Sequence, residues 1–188
     1  MAITVKETDL PGVLIIESEM RSDSRGFYKD IYRLDEYVSS GLGMTFVQDK
    51  HSHSAKNVLR GLYYQLRRPQ GKLVMAVTGE IFDVAVDIRA GSPDFGKWTG
   101  VYLSPLNNRQ LYIPEGFAHG FSVLSDSADV IYKCTQFYAV DEDYGILWSD
   151  PGIDIDWPVK DPLLSERDRN NPRLDEIKID SLPVYRQP

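Results

Sequence analysis

The sequence predicts an all-β fold, either a sandwich or a barrel. Three observations carry that expectation. Apolar and β-branched residues gather in many short runs; Gly, Pro, Asn, Asp and Ser punctuate them; and only one early stretch has helical character. Pattern alone leaves an immunoglobulin-like sandwich and a jelly roll equally open.

The elements follow in order. Residues 12–16 form a short β-rich run that follows Pro11 and ends in charges. A second run, 27–32, opens after Arg25-Gly26, and a third covers 45–48. Between them, 34–40 is the one fair helical candidate, stopped by Gly41. Further strands are expected over 58–65, 72–78, 81–88, 99–103, 110–113, 120–124 and 128–138. Thr78-Gly79-Glu80 and Ser104-Pro105-Leu106-Asn107-Asn108 are the clearest turns, because Gly and Asn tolerate the left-handed backbone that tight reversals need. The C-terminal stretch, rich in Asp, Pro and Arg, reads as turns with a short helix packed on the body. No repeat, linker or low-complexity tract interrupts the chain, so residues 1–188 are read as one domain.

Composition narrows the function classes. With 42% hydrophobic and 26% charged residues, the chain reads as an ordinary soluble globular protein. A net charge of −7 with no basic stripe argues against a general nucleic-acid binder. A few local arginines and lysines can still hold a diphosphate. The single cysteine, Cys134, can form no intramolecular disulfide, which suits a reducing compartment. The N-terminus lacks a basic segment followed by an apolar run, and no apolar stretch approaches the roughly 18 residues of a membrane span. The expected location is the cytoplasm, with no membrane contact.

Several segments, read together and in order, resemble the dTDP-4-dehydrorhamnose 3,5-epimerase family. They are Asp23-Ser24-Arg25-Gly26-Phe27-Tyr28, Val47-Gln48-Asp49-Lys50-His51-Ser52 and Val58-Leu59-Arg60-Gly61-Leu62-Tyr63-Tyr64-Gln65, followed by Gln70-Gly71-Lys72-Leu73-Val74. Asp83 to Arg89, Gly91-Ser92-Pro93, Pro114-Glu115-Gly116-Phe117-Ala118-His119-Gly120-Phe121 and Tyr132-Lys133-Cys134-Thr135 continue the series. Asp150-Pro151 and Leu164-Ser165-Glu166-Arg167-Asp168 close it. The resemblance covers about residues 10–172. It implies a double-stranded β-helix, the cupin-type jelly roll, with short helices at its periphery. It also implies a homodimer in which an N-terminal strand of each subunit helps to build the other's site. No metal or organic cofactor is implied, and the usual substrate is a dTDP-4-keto-6-deoxyhexose inverted at C3 and C5.

That chemistry explains the residue types. A proton on a carbon beside a ketone is acidified because the resulting anion delocalises as an enolate. Epimerisation then needs a base on one face, an acid on the other, and a cation near the oxyanion. By position, the resemblance assigns Lys72 to the enolate, Tyr132 to proton donation, and Asp168 to holding the base. Arg60 and Arg25 match phosphate contacts, where a planar guanidinium takes two oxygens at once. Phe27 matches an aromatic that stacks on the nucleobase, Gln48 a polar base contact, and Tyr138 a site-adjacent aromatic. Asp30 stands where the family has a glutamate and Lys50 where it has an asparagine, so the base is thymine or another pyrimidine such as cytosine. Strict alternation would put Arg60 and Tyr63 on opposite strand faces; a bulge at Gly61 would reconcile them.

The departure lies at the base itself. The family's Arg-Gly-Leu-His reads Arg60-Gly61-Leu62-Tyr63 here. A phenol titrates near 10, so reaching tyrosinate at neutral pH costs roughly 4 kcal/mol, whereas an imidazole with a pKa near 6.5 is already basic. Two readings of Tyr63 compete: a site-lining donor to Asp168 or ligand, with the family reaction slow or lost and the chain a nucleotide-sugar-binding relative; or an active participant in altered chemistry. His119, in a matched motif, is a further polar candidate for the site. His51 and His53 point to one side of a strand as metal ligands would, but no glutamate follows at the spacing metal-binding cupins use, so they are expected at the surface.

Overall fold

A computed structural model describes residues 2–186. The first strands are β1 (Ile3–Glu7), β2 (Leu14–Ser18), β3 (Arg21–Asp23) and β4 (Gly26–Tyr28), followed by helix α1 (Leu34–Ser39). Next come β5 (Gln48–Ala55), β6 (Leu59–Gln65), β7 (Lys72–Thr78) and β8 (Ile81–Asp87). The series ends with β9 (Trp98–Leu103), β10 (Arg109–Ile113), β11 (Phe117–Val123), β12 (Ser127–Cys134), β13 (Asp143–Gly145) and helix α2 (Glu166–Arg169). No helix among the described residues is long and apolar enough to cross a membrane.

Two antiparallel sheets face each other as a cupin-type jelly roll. One has the order β1-β2-β10-β7-β12-β5 and the other β13-β6-β11-β8-β9, so neighbours in space come from distant parts of the chain. Strand alternation then sorts the side chains. Along β7, Val74 and Ala76 point inward to meet Ile81 and Ala85 of β8 and Val123 of β11, forming the core between the sheets. Each fully buried Val or Ile among them contributes about 1.5–3 kcal/mol. Phe82, Val84 and Val86 point the other way and are covered by Ile153, Trp157, Leu174 and Leu182 of the C-terminal segment. The outer face of the first sheet is covered in the same manner by Tyr37 of α1 and Leu42, which pack on Ile16 and Leu73. The outer faces are therefore covered over most of β7 and β8, which is why those two strands read as nearly continuous apolar runs.

Several expected elements shift. The run 45–48 is not the third strand; the strand is β5, starting at Gln48 and carrying hardly any apolar residue. It is the edge of its sheet and half of it faces polar surroundings, so hydrophobic alternation is absent. The run 12–16 slides to β2, and 27–32 shrinks to β4, which pairs with β3 in a separate hairpin. β1 and β13 were not anticipated; both are short edge strands. Trp148 packs against the cluster on the outer face of the second sheet.

Candidate active site

The site is built where the inward rows of the two sheets change from apolar to polar. On the second sheet, β11 places His119 and Phe121 inward, and β6 should alternate beside it. It does not, because β6 carries one extra residue: Tyr63 pairs with His119 and Arg60 with Phe121, so Gly61 and Leu62 share the single space opposite Gly120. This is the bulge expected at Gly61, and it brings Arg60 and Tyr63 to the same cavity. Glycine is required there. Its φ is +132°, and a Cβ would lie 2.5 Å from the Cα of Gly120.

The first sheet supplies the facing wall. Lys72 of β7 and Tyr132 of β12 extend the rows occupied deeper in the barrel by Val74 and Val130. Lys72 is 8% exposed, and burial depresses the pKa of its ammonium. Its ammonium makes no hydrogen bond or ion pair within the described residues and faces the cavity. Burial raises the pKa of the Tyr132 phenol. Lys50, cross-strand from Tyr132, has its ammonium 4.2 Å from the Tyr138 ring centroid. At the rim, Arg167 donates from Nη1 to Asp143 Oδ2 at 2.6 Å, and the Tyr138 hydroxyl donates to the same oxygen at 3.1 Å. The cavity, open at its mouth, has a volume of about 260 Å³.

Two rings on the second-sheet wall are held by carboxylates. The Tyr63 hydroxyl donates to Asp168 Oδ1 at 2.7 Å, and Ser165, the N-cap of α2, donates to Oδ2 at 2.7 Å while accepting from the Asp168 amide. Burial pushes the Tyr63 pKa well above the usual phenol range; the hydrogen bond to Asp168 and its negative charge add to this, and Arg167 and Arg60 oppose it only in part. His119 lies beside it with Nε2 at 2.7 Å from Asp83 Oδ1. Asp83 is fully buried mid-strand in β8, and its Oδ2 has no partner among the described residues.

The family profile of dTDP-4-dehydrorhamnose 3,5-epimerase matches residues 7–176. A Shigella flexneri dTDP-4-dehydrorhamnose 3,5-epimerase is 54% identical, aligned over 92% of this chain and 96% of its own. That of Methanothermobacter thermautotrophicus is 52% identical, over 95% and 96%. This chain belongs to the dTDP-4-dehydrorhamnose 3,5-epimerase family. The crystal structure of a Legionella pneumophila dTDP-6-deoxy-D-glucose-3,5-epimerase, bound to dTDP-4-keto-L-rhamnose, superposes with a TM-score of 0.96 at 45% identity and covers 98% of this chain and 100% of that one.

Of the residues the resemblance to this epimerase family singled out, Lys50, Arg60, Tyr63, Lys72, His119, Tyr132 and Tyr138 line one cavity. Asp168 sits behind Tyr63. Gln48 is adjacent, its side-chain oxygen accepting from the Tyr138 amide at 2.8 Å. Three residues are not brought to that cavity. Arg25 and Phe27 lie on the β3–β4 hairpin, whose side chains are all exposed, Phe27 at 61%; Arg25 is paired with Asp23. Asp30 borders a small depression with Arg33 and Tyr37. His51 and His53 are exposed and share Asp129 Oδ1; no group of three or more potential ligands able to hold a metal occurs among the described residues. Sequence reading missed Asp143 and Arg167 at the rim and Gln70 beside Lys72. Arg167 and Gln70 fall inside matched motifs, a signal that could have found them; Asp143 lies outside every motif.

Proposed function

We propose that the chain epimerises a dTDP-linked 4-keto-6-deoxyhexose at the carbons beside its ketone, through an enolate, in deoxysugar and O-antigen or other polysaccharide synthesis in the cytoplasm. The observation that carries this is the opposition of two walls across one cavity: Lys72 and Tyr132 on the first sheet, two carboxylate-held rings on the second. In this reading the Lys72 ammonium holds the enolate oxygen and the Tyr132 hydroxyl returns a proton to the carbon from its side. Arg60, 3.0 Å from Ser54 Oγ at the mouth, holds phosphate oxygens, with Arg167 and Lys50 at hand.

The protein acts as a homodimer. The exposed hairpin bearing Arg25, Phe27 and Tyr28 makes no wall of its own chain's cavity, so its aromatic faces serve the cavity of a second copy, Phe27 against the base and Arg25 on phosphate. The decisive experiment is proton NMR of dTDP-4-keto-6-deoxyglucose in deuterated buffer with the protein. Loss of both the C3 and C5 proton signals is expected, loss at C3 alone would identify a single-centre enzyme, and loss at neither would overturn the proposal. In calorimetry dTDP should bind more tightly than CDP. Arg60→Ala should weaken dTDP binding by about 1.5–3 kcal/mol, the worth of a charged hydrogen bond. A monomer by sedimentation would overturn the dimer.

A further inference from the structure

We propose that His119, held by Asp83, is the base that removes the proton beside the ketone in this chain. The inference rests on the epimerase reading above and assigns its missing step. Removal of that proton needs a group with a free lone pair near neutral pH, on the wall opposite Tyr132. Tyr63 does not supply one, because its proton is committed to Asp168 and its phenol resists ionisation. Arg60 and Arg167 are permanent cations. Asp143 is neutralised by Arg167 and capped by the Tyr138 hydroxyl. Lys72 is needed as a cation for the oxyanion.

His119 has the geometry for it. A hydrogen bond to a carboxylate demands an N–H, so the 2.7 Å contact with Asp83 places the ring proton on Nε2 and leaves the lone pair on Nδ1. That nitrogen has no protein partner among the described residues, and the ring lines the cavity. His119 is also the direct cross-strand neighbour of Tyr63, so a base there attacks from the same wall and stays opposed to Tyr132, whose ring centroid lies 6.4 Å away. Asp83, buried with its other oxygen unpartnered among the described residues, fixes the orientation of the ring through that one contact. Asp83 is therefore a positioning residue. The balance closes: Nδ1 takes the proton, the C–H pair becomes the enolate double bond, and the carbonyl pair moves to the oxygen beside Lys72. Tyr132 then protonates the carbon from the other face; the imidazolium loses its proton to solvent and Tyr132 regains one.

The groups that set the ring's titration are Asp83 from β8, Tyr63 and Arg60 from β6, Lys72 from β7, Tyr132 from β12 and Lys50 from β5, with the Asp143–Arg167 pair at the rim. The test is deuterium exchange into dTDP-4-keto-6-deoxyglucose across pH, with dTDP binding by calorimetry as the check of fold. Wild type should lose exchange as pH falls below the base's pKa, on a limb of slope one. His119→Asn and His119→Gln should bind dTDP, lose that limb, and exchange at least about 10²-fold more slowly, the usual worth of a positioned base. Asp83→Asn should move the limb to lower pH, since an anion beside the imidazole is gone. Exchange within tenfold of wild type in a His119 variant that binds dTDP overturns the inference. So does a wild-type limb of opposite sign, with exchange lost as pH rises through neutrality, which would make the ring an imidazolium donor. If wild type binds dTDP and exchanges neither proton, the epimerase reading falls and the inference with it.

Discussion

Tyr63 and His119 sit side by side on one wall, each hydrogen-bonded at 2.7 Å to a carboxylate no more than 2% exposed. The surroundings are matched and the outcomes are opposite. For a neutral acid, burial and a nearby anion both penalise losing the proton, so burial first and Asp168 second make the Tyr63 phenol a weaker acid than it is in water. For an imidazole, an anion at one nitrogen favours the cation formed when the other nitrogen takes a proton. The same kind of partner works against the ionisation of a phenol and favours the proton uptake proposed for the imidazole. A carboxylate behind a ring is thus no evidence of a general base until the ring is known.

The largest expected effect breaks the arrangement itself. Gly61→Ala puts a Cβ at φ +132° and 2.5 Å from the Gly120 Cα, so the bulge that sets Tyr63 beside His119 cannot be kept. A loss of roughly 2–5 kcal/mol of stability is expected, from backbone strain plus overpacking, with dTDP binding weakened at the same time. A thermal unfolding midpoint equal to wild type would show that the bulge is dispensable.

The next experiment makes the two pairs alike. Tyr63→His introduced into His119→Asn sets an imidazole beside Asp168, in the other carboxylate-held position on the wall. Exchange measured by NMR at neutral pH should recover about 10²-fold over the single His119 variant. If nothing is recovered, Asp168 does not hold a ring where the substrate's proton lies.

The smallest effect is on stability and its pH dependence. Burial raises the phenols of Tyr37, Tyr63, Tyr64 and Tyr112, the last two to about 12. In the unfolded chain all four titrate near 10. Their contribution is present below about pH 10 and is lost as pH rises toward the folded values, because only the unfolded state then releases the proton. Tyr63→Phe should make this alkaline loss shallower by one group. At neutral pH it should cost about 1 kcal/mol, since Asp168 Oδ1 loses its donor. Denaturant midpoints across pH would measure both, and an unchanged alkaline slope would mean that Tyr63 ionises as freely folded as unfolded.

Much of the fold was legible residue by residue. β6 to β10 were expected within a residue of their ends; β7 and β8 are marked by nearly continuous apolar content and β9 by its buried alternate residues. β5 was misplaced because an edge strand facing a polar cavity has no apolar alternation to read. In the site, Lys72, Tyr132 and Asp168 were visible only as members of motifs, while Asp143 belongs to none.

Local pattern could specify the all-β class, the turns, the residue types that enolate chemistry needs, and the glycine where a bulge had to fall. It could also specify that a phenol, Tyr63, follows Arg60-Gly61-Leu62. It could not specify partners, because hydrogen bonds between residues 105 and 36 positions apart depend on which strands the jelly roll makes neighbours. Only the fold paired Tyr63 with Asp168 and His119 with Asp83, and only the fold carried Arg25 and Phe27 away from the cavity on an exposed hairpin. The physical reason is that protonation and proton transfer are set by burial and by charges a few ångströms away, and both are properties of packing rather than of sequence order.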